Sequence, residues 1–298
     1  MRIARFIIVG RPAIAVDGGD GYLDYGAILE SQGFGSEIKG QDPDRRVIRM
    51  IRRGMLDEEF IREQLDLVKR TGGKFKLNVE GLKPLLPLRP GKIICIARNW
   101  ADHAREGGNE PPKKSFYFVK TDNCVIGYGD PIPLREELGR IDHEGELGVV
   151  ISRKATRVKA SDSSSYILGY TIFNDVTARA MQRELAKEGR PWYAAKSMDG
   201  FGPLGPAIVM RLEAEPIDGR RIRVWVNKEL RQDGTTSDML FKIPQLIEEI
   251  TRYITLMPGD VIATGTPSGV SELHDGDNVA IEIDGIGRLE NPVMKVEY

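Results

Sequence analysis

Asp142-His143-Glu144-Gly145-Glu146-Leu147-Gly148-Val149-Val150-Ile151 is the stretch from which the fold is read. Its second half is strongly apolar and of strand length, so it enters the core. Its first half sets Glu144 and Glu146 two apart, a spacing that points both carboxylates to one face of a strand. Two anions at the mouth of such a strand repel each other unless a cation sits between them. The same Glu-x-Glu pattern is common on exposed edge strands, and the stretch alone leaves both readings open.

Leu168-Gly169-Tyr170-Thr171-Ile172-Phe173-Asn174-Asp175 is a second apolar strand ending in an acid, with a helix expected from Val176. Asp175 is then either the N-cap of that helix or a third carboxylate for the same cation. Arg179 and Gln182 follow it by four and seven residues, which places all three on one helical stripe. Further strands are expected over 3–9, 13–16, 92–97, 116–119, 207–210, 222–226, 260–264, 278–283 and 289–296, and a second helix over 243–254. Many short strands with few helices predict a mixed, β-rich α+β fold, a folded-over β-roll or barrel rather than a doubly wound parallel sheet.

Two glycine loops test for nucleotide binding. Gly200-Phe201-Gly202-Pro203-Leu204-Gly205 matches the letters of a dinucleotide fingerprint, but Pro203 and Pro206 flank the last glycine and block a helix start. It reads as a rigid active-site loop, introduced by Lys196, Ser197, Met198 and Asp199. Thr264-Gly265-Thr266-Pro267-Ser268-Gly269 lacks the Gly-Lys-Ser/Thr ending of a P-loop and reads as a turn that offers backbone N–H groups to a carboxylate. In Arg98-Asn99-Trp100-Ala101-Asp102-His103-Ala104-Arg105-Glu106, the histidine and the last glutamate are three apart on a helical pattern. They form either a surface pair or a general base with its orienting partner.

Upstream, strands around a Gly18-Gly19-Asp20-Gly21 turn and a charged helical region over 44–69 make a small accessory unit. The proline-spaced segment 82–90 forbids regular helix and is the expected linker. The domains are therefore expected at 1–88 and 89–298. Arg45, Arg46, Arg49, Arg52 and Arg53 interleave with Val47, Ile48, Met50 and Ile51, the pattern of a solvated helix face rather than a nucleic-acid patch.

The 298 residues, 41% of them hydrophobic, suffice for a sizeable core, and 43 Lys+Arg against 44 Asp+Glu leave a formal net charge of -1. No global field recruits nucleic acid or a membrane surface. Cys95 and Cys124 are too few for a disulfide scaffold and lack metal-site spacing, so buried, reduced thiols are expected. No apolar stretch reaches the ~20 residues that span a bilayer, and a soluble, cytoplasmic protein is expected.

Taken together, the segments from about 92 to 296 resemble the fumarylacetoacetate hydrolase family. The family's metal motif, a glutamate, one residue, a glutamate and a later aspartate, falls on Glu144, Glu146 and Asp175. Its lysine after the aspartate helix matches Lys196, and its glycine-threonine substrate loop matches Gly265 and Thr266. Residues 174–196 and 229–269 look closest to the acylpyruvate hydrolases and oxaloacetate decarboxylases, whose histidine and glutamate pair matches His103 and Glu106. The 200–203 loop looks as much like the isomerase, hydratase and lyase branches.

Three carboxylates without a nearby cysteine make a hard oxygen site, suited to Mg2+ or Mn2+, with Ca2+ able to stand in their place. The resemblance then implies an enzyme that cleaves a C–C bond of a small 2-oxo acid such as an acylpyruvate through an enolate. His103 with Glu106 would generate the nucleophile, Lys196 would stabilise the developing charge, and Arg179, Gln182, Gly265 and Thr266 would hold the substrate. Isomerisation, hydration and decarboxylation of 2-oxo acids are the alternatives, and a non-catalytic 2-oxo acid binder is the reading from another class. Family members commonly pair, so a homodimer is expected.

Overall fold

The seven residues of Gly145–Ile151 form one strand, every one of them buried, and Ile167–Asn174 is buried along its whole length beside it. Both belong to a computed structural model that describes residues 1–38, 45–69 and 73–296. In chain order the strands are β1 (Arg2–Ile8), β2 (Arg11–Asp17), β3 (Tyr22–Asp24), β4 (Ile93–Ile96), β5 (Tyr117–Lys120), β6 (Val125–Ile126), β7 (Ile132–Leu134), β8 (Ile141–Asp142), β9 (Gly145–Ile151), β10 (Ile167–Asn174), β11 (Thr177–Ala178), β12 (Gly202–Met210), β13 (Arg221–Val226), β14 (Glu229–Thr235), β15 (Val261–Ala263), β16 (Asn278–Ile283) and β17 (Gly287–Lys295). The helices are α1 (Tyr25–Ser31), α2 (Gly35–Ile38), α3 (Arg46–Arg52), α4 (Glu58–Val68), α5 (Ala101–Glu106), α6 (Arg179–Lys187), α7 (Tyr193–Lys196), α8 (Arg211–Ala214) and α9 (Ile243–Thr251).

One sheet runs β3-β2-β1-β12-β10-β9-β15-β4-β5 with β6 attached to β12; a second runs β14-β13-β16-β17-β7, and β8 pairs with β11 apart from both. Strands of the second sheet lie across β9, β10 and β12. Gly145 marks how closely: a Cβ there would stand 2.4 Å from Val224 Cγ2. The sheet-rich, mixed fold agrees with the expectation of a roll. Both sheets are open paths, so the barrel alternative is set aside.

Three strand pairings bring the site together. In the antiparallel β9–β10 pair, Phe173 opposes Glu146 and Asn174 opposes Gly145, and the Asp175 N–H continues the ladder by donating to Glu144 O at 2.9 Å. β15 is antiparallel to β9 and parallel to β4. The loops that leave β15 and β4, carrying Thr266 and Arg98, therefore reach the end of β9 where the glutamates stand.

The N-terminal strands join the same sheet, Arg2 pairing with Val209 and Ile3 with Ile208, so the boundary expected at 88/89 does not interrupt it. Ile28, Val47, Met50 and Ile61 belong to the hydrophobic cluster that includes Val149 and Ile172. The 82–90 segment has no regular structure and packs on β1, Leu85 N–H donating to Arg5 O at 2.8 Å. In α3, Val47, Met50 and Ile51 are buried beneath the arginines, as the solvated-face reading requires.

Two local expectations gain detail and a third, the start of the helix at Val176, is corrected. The turn over Gly18–Gly21 joins β2 to β3, while Val9 and Gly10, both at positive φ, turn β1 into β2. The charged region 44–69 is two helices, because Gly54 adopts φ 71° and ends the first and Asp57 caps the second; Asp44 lies outside the described residues. The helix expected from Val176 begins at Arg179, since Thr177 and Ala178 first pair with Asp142 and Ile141.

Both cysteines are free and buried, and burial pushes the Cys124 thiol up to about 11. Among the described residues no helix is long and apolar enough to cross a membrane.

Candidate active site

Asp175 ends one buried strand beside the start of another, and that register decides its role. It precedes β11 rather than a helix, so it is not an N-cap. Glu144, Glu146 and Asp175 are all buried, and each offers an oxygen within 4.8 Å of the others. Three buried carboxylates with no sulfur or imidazole among them fit a hard divalent cation.

Cations already compensate two of the three. Lys196 Nζ donates to Glu144 Oε2 at 2.8 Å and to Asp175 Oδ2 at 2.7 Å. Lys120, fully buried, donates to Asp175 Oδ1 at 2.6 Å and to Val176 O at 3.1 Å. Arg179 donates to Glu144 Oε1 and, through Nε, to Asp142 Oδ2 at 2.8 Å. Burial opposes the charge on Glu144, but Lys196 and Arg179 outweigh it and hold its carboxyl well below the ordinary range. Glu146 makes no ion pair among the described residues. Burial, then Asp175 and Glu144, push its pKa well up, against a hydrogen bond from the Gly265 N–H at 2.8 Å and the nearby charge of Lys196. A bound cation would relieve that repulsion.

His103 and Glu106 meet on α5, Nδ1 3.4 Å from Oε2. Glu106 also accepts from the Gly269 N–H at 3.0 Å. Burial raises its pKa, yet the His103 and Gly269 hydrogen bonds prevail and the net shift is downward, so it stays anionic.

A cavity of about 300 Å³ unites these groups: His103, Glu106, the three acidic residues and Lys196 all line it. Arg179, Gln182 and Thr266 line it too. Their donors are largely engaged, however. Arg179 Nη1 donates to Gln182 Oε1 at 2.6 Å, and the Thr266 hydroxyl donates to Gly145 O at 2.8 Å. Gly265 reaches Glu146 rather than open space.

Four residues of the site escaped the sequence reading. Lys120 ends β5, one residue beyond the expected strand, and a lysine at a strand end ordinarily reads as exposed. Asp142 carried a signal, standing in the decisive stretch, but its task of holding Arg140 and Arg179 depends on the β8–β11 pairing. Gln232 lies fully buried in β14, an otherwise mostly exposed strand. Arg98 lines the cavity at φ 55°, its guanidinium over the rings of Phe116 and Trp192 at 5.6 and 5.8 Å. No carboxylate pairs with it among the described residues.

An open, sheet-rich roll carrying a buried three-carboxylate centre suited to a divalent cation, beside a histidine–glutamate pair, is the framework of an enzyme. The chain belongs to the fumarylacetoacetate hydrolase family: residues 92–294 match the model described as fumarylacetoacetate (FAA) hydrolase C-terminal. It is 40% identical over 233 residues to oxaloacetate tautomerase YisK of Bacillus subtilis, covering 74% of this chain and 76% of that one. Among solved structures it is similar to maleylpyruvate hydrolase from Sphingobium sp. SYK-6 in complex with manganese(II) ion and pyruvate, with TM-score 0.79 and 31% identity over 100% of both chains. It is also similar to 5-carboxymethyl-2-hydroxymuconate delta-isomerase from Mycobacterium smegmatis, with TM-score 0.74 and 33% identity over 100% of both.

Proposed function

We propose that the chain interconverts the enol and keto forms of a small 2-oxo dicarboxylic acid of the oxaloacetate type, with Mg2+ or Mn2+ held by Glu144, Glu146 and Asp175. The observation that carries this reading is the cavity of about 300 Å³, with the acidic centre, His103 with Glu106, and Arg98 all on its walls. Ca2+ is the expected substitute ion. A bound divalent cation supplies Lewis acidity at the keto oxygen.

The chain's own residues do the rest. Lys196, its charge held by Asp175 and Glu144 against the cost of burial, stabilises negative charge as it grows on that oxygen. His103, with Glu106 fixing the ring, takes the proton from the enol oxygen and delivers it to the adjacent carbon, and carries it back in the reverse direction. Arg98, half-buried and with no carboxylate partner among the described residues, receives the second carboxylate. The likeness to an oxaloacetate tautomerase supports this choice of substrate.

A second reading rests on the same pair. A base within reach of a water in that cavity would serve C–C hydrolysis of an acylpyruvate, and the likeness to maleylpyruvate hydrolase favours it. A cytoplasmic homodimer belongs to both readings, and mass in solution at micromolar concentration checks the pairing. The deciding experiment is a panel of enol-oxaloacetate, oxaloacetate decarboxylation and acylpyruvate hydrolysis in Mg2+. The highest kcat/KM is expected for the enol; a higher value for hydrolysis replaces the first reading by the second.

A further inference from the structure

One buried amide controls what Thr266 can offer a ligand. Gln232 Oε1 lies 3.1 Å from both the Gly145 N–H and His143 Nδ1, while its Nε2 lies 2.7 Å from Thr266 Oγ1 and 2.6 Å from Pro267 O. A backbone carbonyl only accepts and a backbone N–H only donates, so Pro267 O and Gly145 N–H fix the amide's orientation without ambiguity. Two consequences follow by elimination. His143 must carry its proton on Nδ1, leaving Nε2 to accept from Ser271 Oγ at 2.9 Å. Thr266 Oγ1 must accept from Gln232, and its own proton goes to Gly145 O at 2.8 Å.

The Thr266 hydroxyl therefore has no proton left for a ligand. Of its hydrogen-bonding capacity only one lone pair remains. The residue's backbone N–H, in contrast, has no acceptor among the described residues. Thr266 thus combines an accepting side chain with a donating backbone.

We propose that Gln232 is a positioning residue that makes Thr266 an acceptor, so that this edge of the cavity takes a ligand hydroxyl, an enol or a 2-hydroxy acid, in preference to a bare oxo group. The Thr266 N–H is left for the neighbouring carboxylate oxygen. This rests on the reading of the cavity as a 2-oxo acid site. It gives the Thr266 side chain, expected from the resemblance to hold the substrate, the part of an acceptor.

Two measurements test it. Long-range 1H–15N spectra of the unaltered protein at pH 8 are expected to show His143 as the neutral Nδ1–H tautomer, shifting toward Nε2–H in Gln232→Met; Nε2–H in the unaltered protein overturns the relay. Calorimetry on Mg2+-loaded protein then compares lactate, which carries the hydroxyl, with pyruvate, which does not. Thr266→Val is expected to lose about 3- to 10-fold more affinity for lactate than for pyruvate, and Thr266→Ser to restore the difference. Equal losses for both ligands overturn the acceptor role. Failure of the unaltered, metal-loaded protein to bind either ligand defeats the 2-oxo acid reading and with it the ligand preference, while the His143 spectrum still decides the orientation of Gln232.

Discussion

Glu106 accepts the Gly269 N–H through both carboxylate oxygens, at 3.0 and 3.2 Å, and this contact ties the helix of His103 to the loop of Thr266. The proposed base and the loop of Thr266 are thereby set in one frame. Gly269 itself stands at φ +100°, and a Cβ there would lie 1.9 Å from Arg231 O. Gly269→Ala is expected to destabilise the fold by about 1–3 kcal/mol and to lower kcat along with it. Denaturant unfolding and steady-state kinetics check both; an unchanged kcat would detach the loop from the placement of Glu106.

His103→Ala and Glu106→Gln should each lower kcat by about 10²–10⁴-fold, the usual cost of losing a general base or its orientation. Neither residue is among the three carboxylates, so Mn2+ affinity, followed by paramagnetic resonance, is expected to stay within a few fold. Loss of metal affinity equal to the loss of rate would place the pair in the metal centre instead.

Arg98→Met should raise KM for oxaloacetate by about 10- to 100-fold, the range of a charge-assisted hydrogen bond, with a smaller effect for an uncharged 4-ester of the same acid. Equal effects on both substrates would remove the second-carboxylate role.

How much of this was legible beforehand depended on range. The β9 stretch stated its own strand, and the structure brings Glu144, Glu146, Asp175 and Lys196 together at its mouth. Lys120 and Gln232 were invisible because each is buried by strands distant in sequence; local patterning scores a lysine or glutamine in a short strand as exposed. Arg179 misled for a related reason: its spacing from Asp175 suggested a shared helix, whereas a β8–β11 pair intervenes and delivers the guanidinium to Asp142.

Burial lowers the pKa of His143 from the ordinary 6.5, against smaller raising effects of Gln232, Asp142 and Glu144. Below pH 6.5 the unfolded chain binds a proton that the folded one resists, so His143 adds stability above that pH and the contribution is lost as pH falls. The slope from this residue is at most about 1.4 kcal/mol per pH unit. His143→Gln should flatten the stability profile below pH 6.5, the ordinary value from which the imidazole is lowered. Identical slopes in both proteins would contradict the burial of a neutral imidazole.

The most direct test of the account is the rate of enol-oxaloacetate ketonisation, followed by absorbance, with Mg2+ or Mn2+ and after chelation. The account predicts a metal-dependent rate that chelation abolishes, metal restores, and Glu146→Gln suppresses together with metal binding. Full activity in the chelated protein, or no acceleration of ketonisation by the metal-loaded one, would contradict it.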